Sequence, residues 1–139
     1  MSLSTRPIPV RSWSVEAFGS FWGNPDPVRL QGVKEVITAD IVGYWPRSIG
    51  VVRGAKNYFE VIDSIVNVRP RFSLKVIESA MTDDLIFIRW IGCIVEGGTT
   101  TEFNGCDRVR MRAGLVCENY VFCDHPFFES VAEHMAQRS

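Results

Sequence analysis

The rhythm of apolar and polar positions changes once along this chain, near Arg69. Before it, apolar residues recur at helical spacing; after it, they alternate. From Trp13 to Trp22 the residues Trp13, Ala17, Phe18 and Phe21 share one helical face, and "GNPDP" stops the run. Asp26 followed by Pro27 is an N-cap and first-turn pattern, predicting a short helix towards Ile37 that Gly32 weakens. "DIVGYWP" (40–46) predicts a short strand ended by Pro46. Between Ala55 and Val66 the stripe Ala55, Phe59, Ile62, Val66 predicts a third helix. Thereafter Phe72, Leu74 and Val76 alternate with Arg71, Ser73 and Lys75. Runs at 84–96, 99–111 and 115–124 continue the strand pattern, and a short helix is expected over Phe127 to Gln137. Helices first and a four-strand antiparallel meander afterwards is an α+β layout. Three N-terminal helices can cover one face of a strongly curved sheet, giving a cone with an apolar interior.

Turn chemistry sets which residues face inward together. Gly97-Gly98 in "EGGT" suits a two-residue type I′ turn, which wants positive φ twice. That register pairs Ile88 with Asp107, Trp90 with Gly105 and Gly92 with Phe103. In "MRAGL" a two-residue turn would strain Ala113 at positive φ and put Tyr120 opposite Asp107. A three-residue loop with Gly114 as the left-handed residue fits better, and sets Asn119 opposite Asp107.

One residue breaks the pattern. In "FNGCDRVRM" (103–111) the face carrying Phe103, Gly105, Val109 and Met111 is apolar except for Asp107. In this register Asp107 sits among Ile88, Trp90, Val109 and Val121, with Asn119 as its polar neighbour. A buried carboxylate without a partner tends to take a proton, so a raised pKa is expected. Three roles stay open for it: a proton donor in the cone, a structural acid tied to Asn119 or the backbone, or the partner of an arginine. Asp107 and Asn119 are the candidate catalytic pair. Tyr44 and Trp45 end the first strand beside the expected cone mouth; with Trp90, Phe18, Phe103 and Val121 they are the expected ligand-binding walls. Arg47 and Arg53 lie in a loop near that mouth, where a ligand carboxylate or plain solvent could meet them. Asp124-His125 follows the last strand and fits a turn better than an acid–base couple.

Composition narrows the function classes. The chain has 139 residues, 46% of them hydrophobic and 22% charged, with net charge −1. That fits one domain over 13–139 behind a flexible arm at 1–12, and gives no electrostatic case for nucleic acid or an anionic membrane. No apolar run reaches a membrane span, and Arg6, Pro7, Pro9 and Arg11 leave no room for a signal-peptide core, so a cytoplasmic protein is expected. The cysteines Cys93, Cys106, Cys117 and Cys123 stand singly, and the two histidines lie near the C-terminus; no metal site and no cofactor are implied. The outer sheet face carries Phe87, Arg89, Ile91, Arg108, Arg110, Tyr120 and Phe122, a mixture suited to burial against a second copy, so a homodimer is expected.

The layout, with "ADIVGYWP" (39–46), "VRGAKNYFEVI" (52–62) and "AGLVCENYVFCD" (113–124), resembles the nuclear transport factor 2-like (cystatin-like) superfamily across residues 13–128. That superfamily includes SnoaL-like polyketide cyclases, ketosteroid isomerases, limonene-epoxide hydrolases and scytalone dehydratases. Against the isomerase pattern, Asp107 falls on the protonated acid of the oxyanion hole, while Trp45 falls on the general base and Phe18 on the oxyanion-hole tyrosine. The charged residues of the epoxide hydrolases fall on Ile88, Trp90 and Val121, and the paired interior histidines of the dehydratase have no counterpart. The resemblance implies a SnoaL-like protein binding a small hydrophobic molecule in an apolar pocket. An isomerase, cyclase or lyase activity would act by proton transfer at a carbonyl compound through Asp107. The alternative is a non-catalytic binding or dimeric scaffold domain, which a filled cone would favour over an open one.

Overall fold

The structure, a computed structural model, describes residues 13–138; the expected arm over 1–12 lies outside the described residues. Helix α1 (Val15–Gly23) begins at Ser14, whose Oγ accepts the Ala17 amide at 3.0 Å, and buries Phe18 and Trp22. The expected second helix is reduced to an Asx-type turn at Asp26 and one 3₁₀ segment, Leu30–Glu35. Strand β1 (Ile37–Trp45) is followed by β2 (Gly50–Arg53), a short strand that the sequence pattern did not reveal. Helix α2 (Ala55–Asn67) is followed by β3 (Phe72–Thr82), β4 (Leu85–Glu96), β5 (Thr99–Arg112), β6 (Leu115–Phe122) and helix α3 (Phe127–Arg138). The fold is α+β, with six strands in the order β2-β1-β6-β5-β4-β3. Among the described residues no helix is long and apolar enough to cross a membrane.

The sheet is not wholly antiparallel. β1 runs parallel to β6, with Gly43 beside Asn119 and Tyr44 beside Tyr120, and antiparallel to β2. No local turn joins β1 to β6, so no turn chemistry could announce their pairing. The β4–β5 hairpin has the predicted register: Ile88 pairs with Asp107, Trp90 with Gly105 and Gly92 with Phe103, around Gly97 and Gly98 at φ 59° and 80°.

The β5–β6 turn corrects the sequence reading. Arg112 pairs with Leu115, so the loop has two residues, and Ala113 takes φ 54° beside Gly114 at 82°. A bulge between Arg110 and Met111 then inserts Cys117 as an extra residue on β6. Asp107 consequently pairs with Val121, and Asn119 pairs with Val109, rather than Asp107 with Asn119. The bulge shifts pairing by one, which restores Asn119 to the inner face that the wrong turn type had also assigned it.

α2 is rotated relative to the expected stripe. Tyr58, Val61, Ile62 and Ile65 are buried, while Phe59 is only half-buried, with the Lys34 ammonium 4.4 Å from its ring. The stripe of aliphatic and phenyl side chains leaves out Tyr58, which is buried and whose hydroxyl finds a partner inside. The core runs from α1 through the inner sheet face to Phe127, Phe128 and Val131 of α3.

Candidate functional site

Between the helices and the concave sheet face lies a cavity of about 630 Å³. All four tryptophans of the chain, Trp13, Trp22, Trp45 and Trp90, contribute to its wall. Aliphatic groups such as Ile62, Val109 and Val121 fill in between them, and the polar interruption is a cluster of Tyr58, Asp107 and Asn119. Arg29 stands exposed at the rim, with its guanidinium on the carbonyls of Ser20 (3.0 Å) and Asn24 (3.1 Å) at the end of α1.

The cluster is one hydrogen-bonded chain. The Trp90 indole N–H donates to Asp107 Oδ1 at 2.8 Å, and Asn119 Nδ2 donates to Asp107 Oδ2 at 2.8 Å. The Tyr58 hydroxyl donates to Asn119 Oδ1 at 2.7 Å. Three strands and a helix supply these groups: Trp90 from β4, Asp107 from β5, Asn119 from β6 and Tyr58 from α2. Two glycines make room for them. A Cβ on Gly105 would meet the Trp90 ring at 2.1 Å, and one on Gly43 would meet the Tyr58 ring at 2.8 Å. Asn119 reaches Asp107 diagonally, past its own partner Val109, over a separation that cross-strand neighbours two residues apart can bridge.

Burial dominates the electrostatics. Removal from water pushes the Asp107 carboxyl up to about 6, against the hydrogen bonds from Asn119 and Trp90 that favour its ionised form. Burial, and then the charge of Asp107, holds the Tyr58 phenol far above its ordinary range, so it keeps its proton. Burial also raises the nearby Cys106 and Cys123 thiols, with the charge of Asp107 adding to the shift in both. A carboxyl poised near 6 can exchange a proton close to neutral pH, which a surface aspartate cannot do.

The expected site residues separate into two groups. Phe18, Trp45, Trp90, Asp107, Asn119 and Val121 line the cavity together. Tyr44 and Phe103 do not, which corrects their expected placement on its walls. Tyr44 alternates to the outer face, where its ring stacks on Tyr120 at 4.9 Å. Phe103 is outside the cavity lining, against Trp90 and Phe127, and stacks on His125 at 3.9 Å. Trp45 is buried with its indole N–H unpaired, and its ring tilts against Tyr58 at 5.6 Å. Phe18 brings no hydroxyl; the phenol arrives from α2 instead. His125 Nδ1 accepts the Phe127 amide at 3.0 Å, a turn-closing role. Arg47 is tied to the Asp124 carbonyl. The four cysteines are free thiols, and among the described residues no group of three or more His, Cys, Asp or Glu side chains could hold a metal ion.

No family model matches this chain, and no curated protein matches it in sequence. Solved structures do match its fold. A SnoaL-like protein from Jannaschia sp. CCS1, assigned as a polyketide cyclase, superposes at TM-score 0.66 with 16% identity, over 88% of this chain and 88% of that one. TerC, co-crystallised with polyporic acid, superposes at TM-score 0.67 with 17% identity, over 86% of this chain and 95% of that one. A protein of ketosteroid isomerase-like fold from Catenulispora acidiphila, in complex with trimethylamine, gives TM-score 0.66 at 13% identity, over 88% and 91% of the two chains. With NTF2-like and cystatin-like proteins also among the matches, the fold is the NTF2-like, or cystatin-like, one. Identities this low establish the architecture and leave the chemistry to the site itself.

Proposed function

We propose that this protein binds a small molecule with a hydrophobic body and a polar tip, and that Asp107 serves proton transfer at a carbonyl compound seated there. One observation carries the reading: an open, aromatic-walled cavity of about 630 Å³ whose polar lining gathers at one buried, raised-pKa carboxyl. The open cone supports binding over a purely structural use of the same core. Asn119 and Trp90 orient the carboxyl, and the reaction type this allows is isomerisation, cyclisation or elimination without a cofactor.

Because all four tryptophans border the cavity, binding is readable in their fluorescence. Titration with 4-phenylcyclohexanol should give a saturable change corresponding to one site per chain. Val33→Trp, at a half-buried wall position, should abolish it while the melting temperature stays within a few degrees. The reading is lost if the native protein gives no saturable change, or if Val33→Trp binds as well as the native protein.

We further propose that the outer sheet face joins a second copy of the chain. Tyr44, Tyr120 and Phe122 form a stacked column at 4.9 and 4.5 Å, with Tyr120 37% and Phe122 49% exposed. The arginines around this column are already matched: Arg89 with Glu78, Arg110 with Asp84, and Arg108 with Glu118. A face with internally compensated charge can meet its own image without repulsion, as a two-fold interface requires. Sedimentation at micromolar concentration is expected to show a dimer that Tyr120→Arg dissociates. A native monomer would rule this interface out.

A further inference from the structure

The direction of the hydrogen-bond chain carries information about the ligand, and this inference rests on the cavity reading above. An ionised Asp107 can only accept, so the Asn119 amide must present its nitrogen to it and its oxygen to Tyr58. Tyr58 has then committed its proton to Asn119. Its oxygen offers the cavity lone pairs alone, which suit a hydroxyl or N–H and oppose a carbonyl.

A proton on Asp107 Oδ2 reverses each of these directions. Oδ2 becomes a donor towards Asn119, so the amide turns over to present its oxygen. The amide nitrogen then donates to the Tyr58 oxygen, and the Tyr58 proton swings into the cavity. The Trp90 indole N–H, a donor in every state, keeps Oδ1 as acceptor throughout. Both arrangements use the same heavy-atom distances, and neither leaves a member of the chain unpaired.

We propose that the Asn119 side-chain amide is a two-position relay. It makes the Tyr58 hydroxyl an acceptor towards the cavity while Asp107 is ionised, and a donor once Asp107 holds a proton. At the Tyr58 hydroxyl the cavity therefore takes a hydroxyl in either state, an N–H donor only while Asp107 is ionised, and a carbonyl only with uptake of a proton at Asp107. Tyr58 is the specificity-determining contact and Asn119 a positioning residue.

The surroundings keep this switch under the control of one group. From α2, Tyr58 stays protonated; on β5 and just past the end of β6, Cys106 and Cys123 have thiols raised by burial and stay neutral. The cavity-lining residues of α1, β1, β3, β4 and α3 include no other titratable group, and the charged Arg29 stands at the rim, on the carbonyls that end α1. Burial of the Asp107 carboxyl places its titration near neutral pH, where both states are reachable.

The test compares 4-phenylcyclohexanol with 4-phenylcyclohexanone, which share a body and do not ionise, by calorimetry at about pH 5 and about pH 8. The ketone should bind roughly tenfold more tightly at the lower pH, the effect of one buried hydrogen bond made or lost, while the alcohol changes little. At neutral pH, buffers of different ionisation heat should reveal proton uptake with the ketone and none with the alcohol. Asp107→Asn mimics the protonated acid, since its own amide can donate to Asn119. It should raise ketone affinity at about pH 8 by roughly tenfold and abolish the pH dependence. Tyr58→Phe should bind both compounds alike at both pH values. A ketone affinity equal at both pH values, or unaltered at about pH 8 by Asp107→Asn, overturns the relay and leaves the cavity reading standing. Binding of neither compound overturns both.

Discussion

Asp107→Asn is expected to stabilise the protein at neutral pH by on the order of 2 kcal/mol and to flatten its stability between about pH 4 and pH 6. The native carboxyl is pushed from 3.8 to about 6 by burial. The folded protein therefore binds this proton more tightly than the unfolded chain does. The corresponding stability is fully present below the unfolded pKa, near 4, and is lost as pH rises through about 6. A roughly hundredfold tighter hold on one proton, net of the hydrogen bonds from Asn119 and Trp90 to the ionised form, is worth about 3 kcal/mol. Asparagine recovers most of it to the extent that its amide pairs as the neutral acid does. The other shifted acid, Asp40, lies the opposite way: its contact with Arg112 lowers its pKa, so its contribution is lost only as pH falls through a more acidic range. Urea unfolding of native and variant protein across pH 4–8, with a carbon-13 titration of the Asp107 carboxyl, checks this. A variant less stable than native at pH 7, or a carboxyl midpoint near 4, would show that Asp107 is a well-solvated or fully compensated structural acid. That result would also remove the basis for proton transfer.

Gly105→Ala is expected to destabilise the protein by about 3 kcal/mol, more than a surface methyl ever does. The backbone there is not at positive φ, so conformational strain is not the cause. The new Cβ would fall 2.1 Å, 2.3 Å and 2.6 Å from three atoms of the Trp90 ring, which is 1% exposed and has nowhere to go. Relieving the clash moves the indole and with it the hydrogen bond to Asp107 Oδ1, leaving a buried acceptor short of a donor. Gly32→Ala is the control, because a Cβ there meets nothing within 4 Å; its effect should stay within about 1 kcal/mol. Thermal melts in which the two variants differ by less than that would show the sheet yielding at Gly105, and the Trp90–Asp107 contact to be looser than its geometry implies.

Both predictions concern residues that the sequence exposed to different degrees. Asp107 was visible because strand periodicity makes a lone acid on an apolar face stand out, and Gly97-Gly98 then named its neighbours across β4. Asn119 was placed on the correct face because two departures each shift the pairing by one residue in the same direction. A shift of two keeps the face while moving the partner of Asp107 from Asn119 to Val121. The turn at Ala113 is tighter than its steric preference suggests, and the bulge at Cys117 moves the pairing one residue further. A local rule sees the strain in Ala113 but not the pairing along β5 and β6 that holds it there. Tyr58 escaped notice altogether. It lies 61 residues from Asn119 along the chain, and its polar tip hid it from a stripe drawn through apolar residues. Tyr44 and Phe103 were misplaced for a related reason: membership of a strand face gives a direction, but the depth of the cavity depends on what fills it.

The amino-acid sequence by itself determined the α+β class, the meander, the β4–β5 register and the acid on the apolar face. All of these follow from short-range periodicity and turn sterics acting within a dozen or so residues. Only the tertiary structure decided that β1 lies parallel to β6, that α2 is turned to insert Tyr58, and that the cone stays open around a single hydrogen-bonded chain. Those outcomes depend on how separately formed elements pack and on which buried polar groups find partners across long loops, and no local pattern encodes such partnerships.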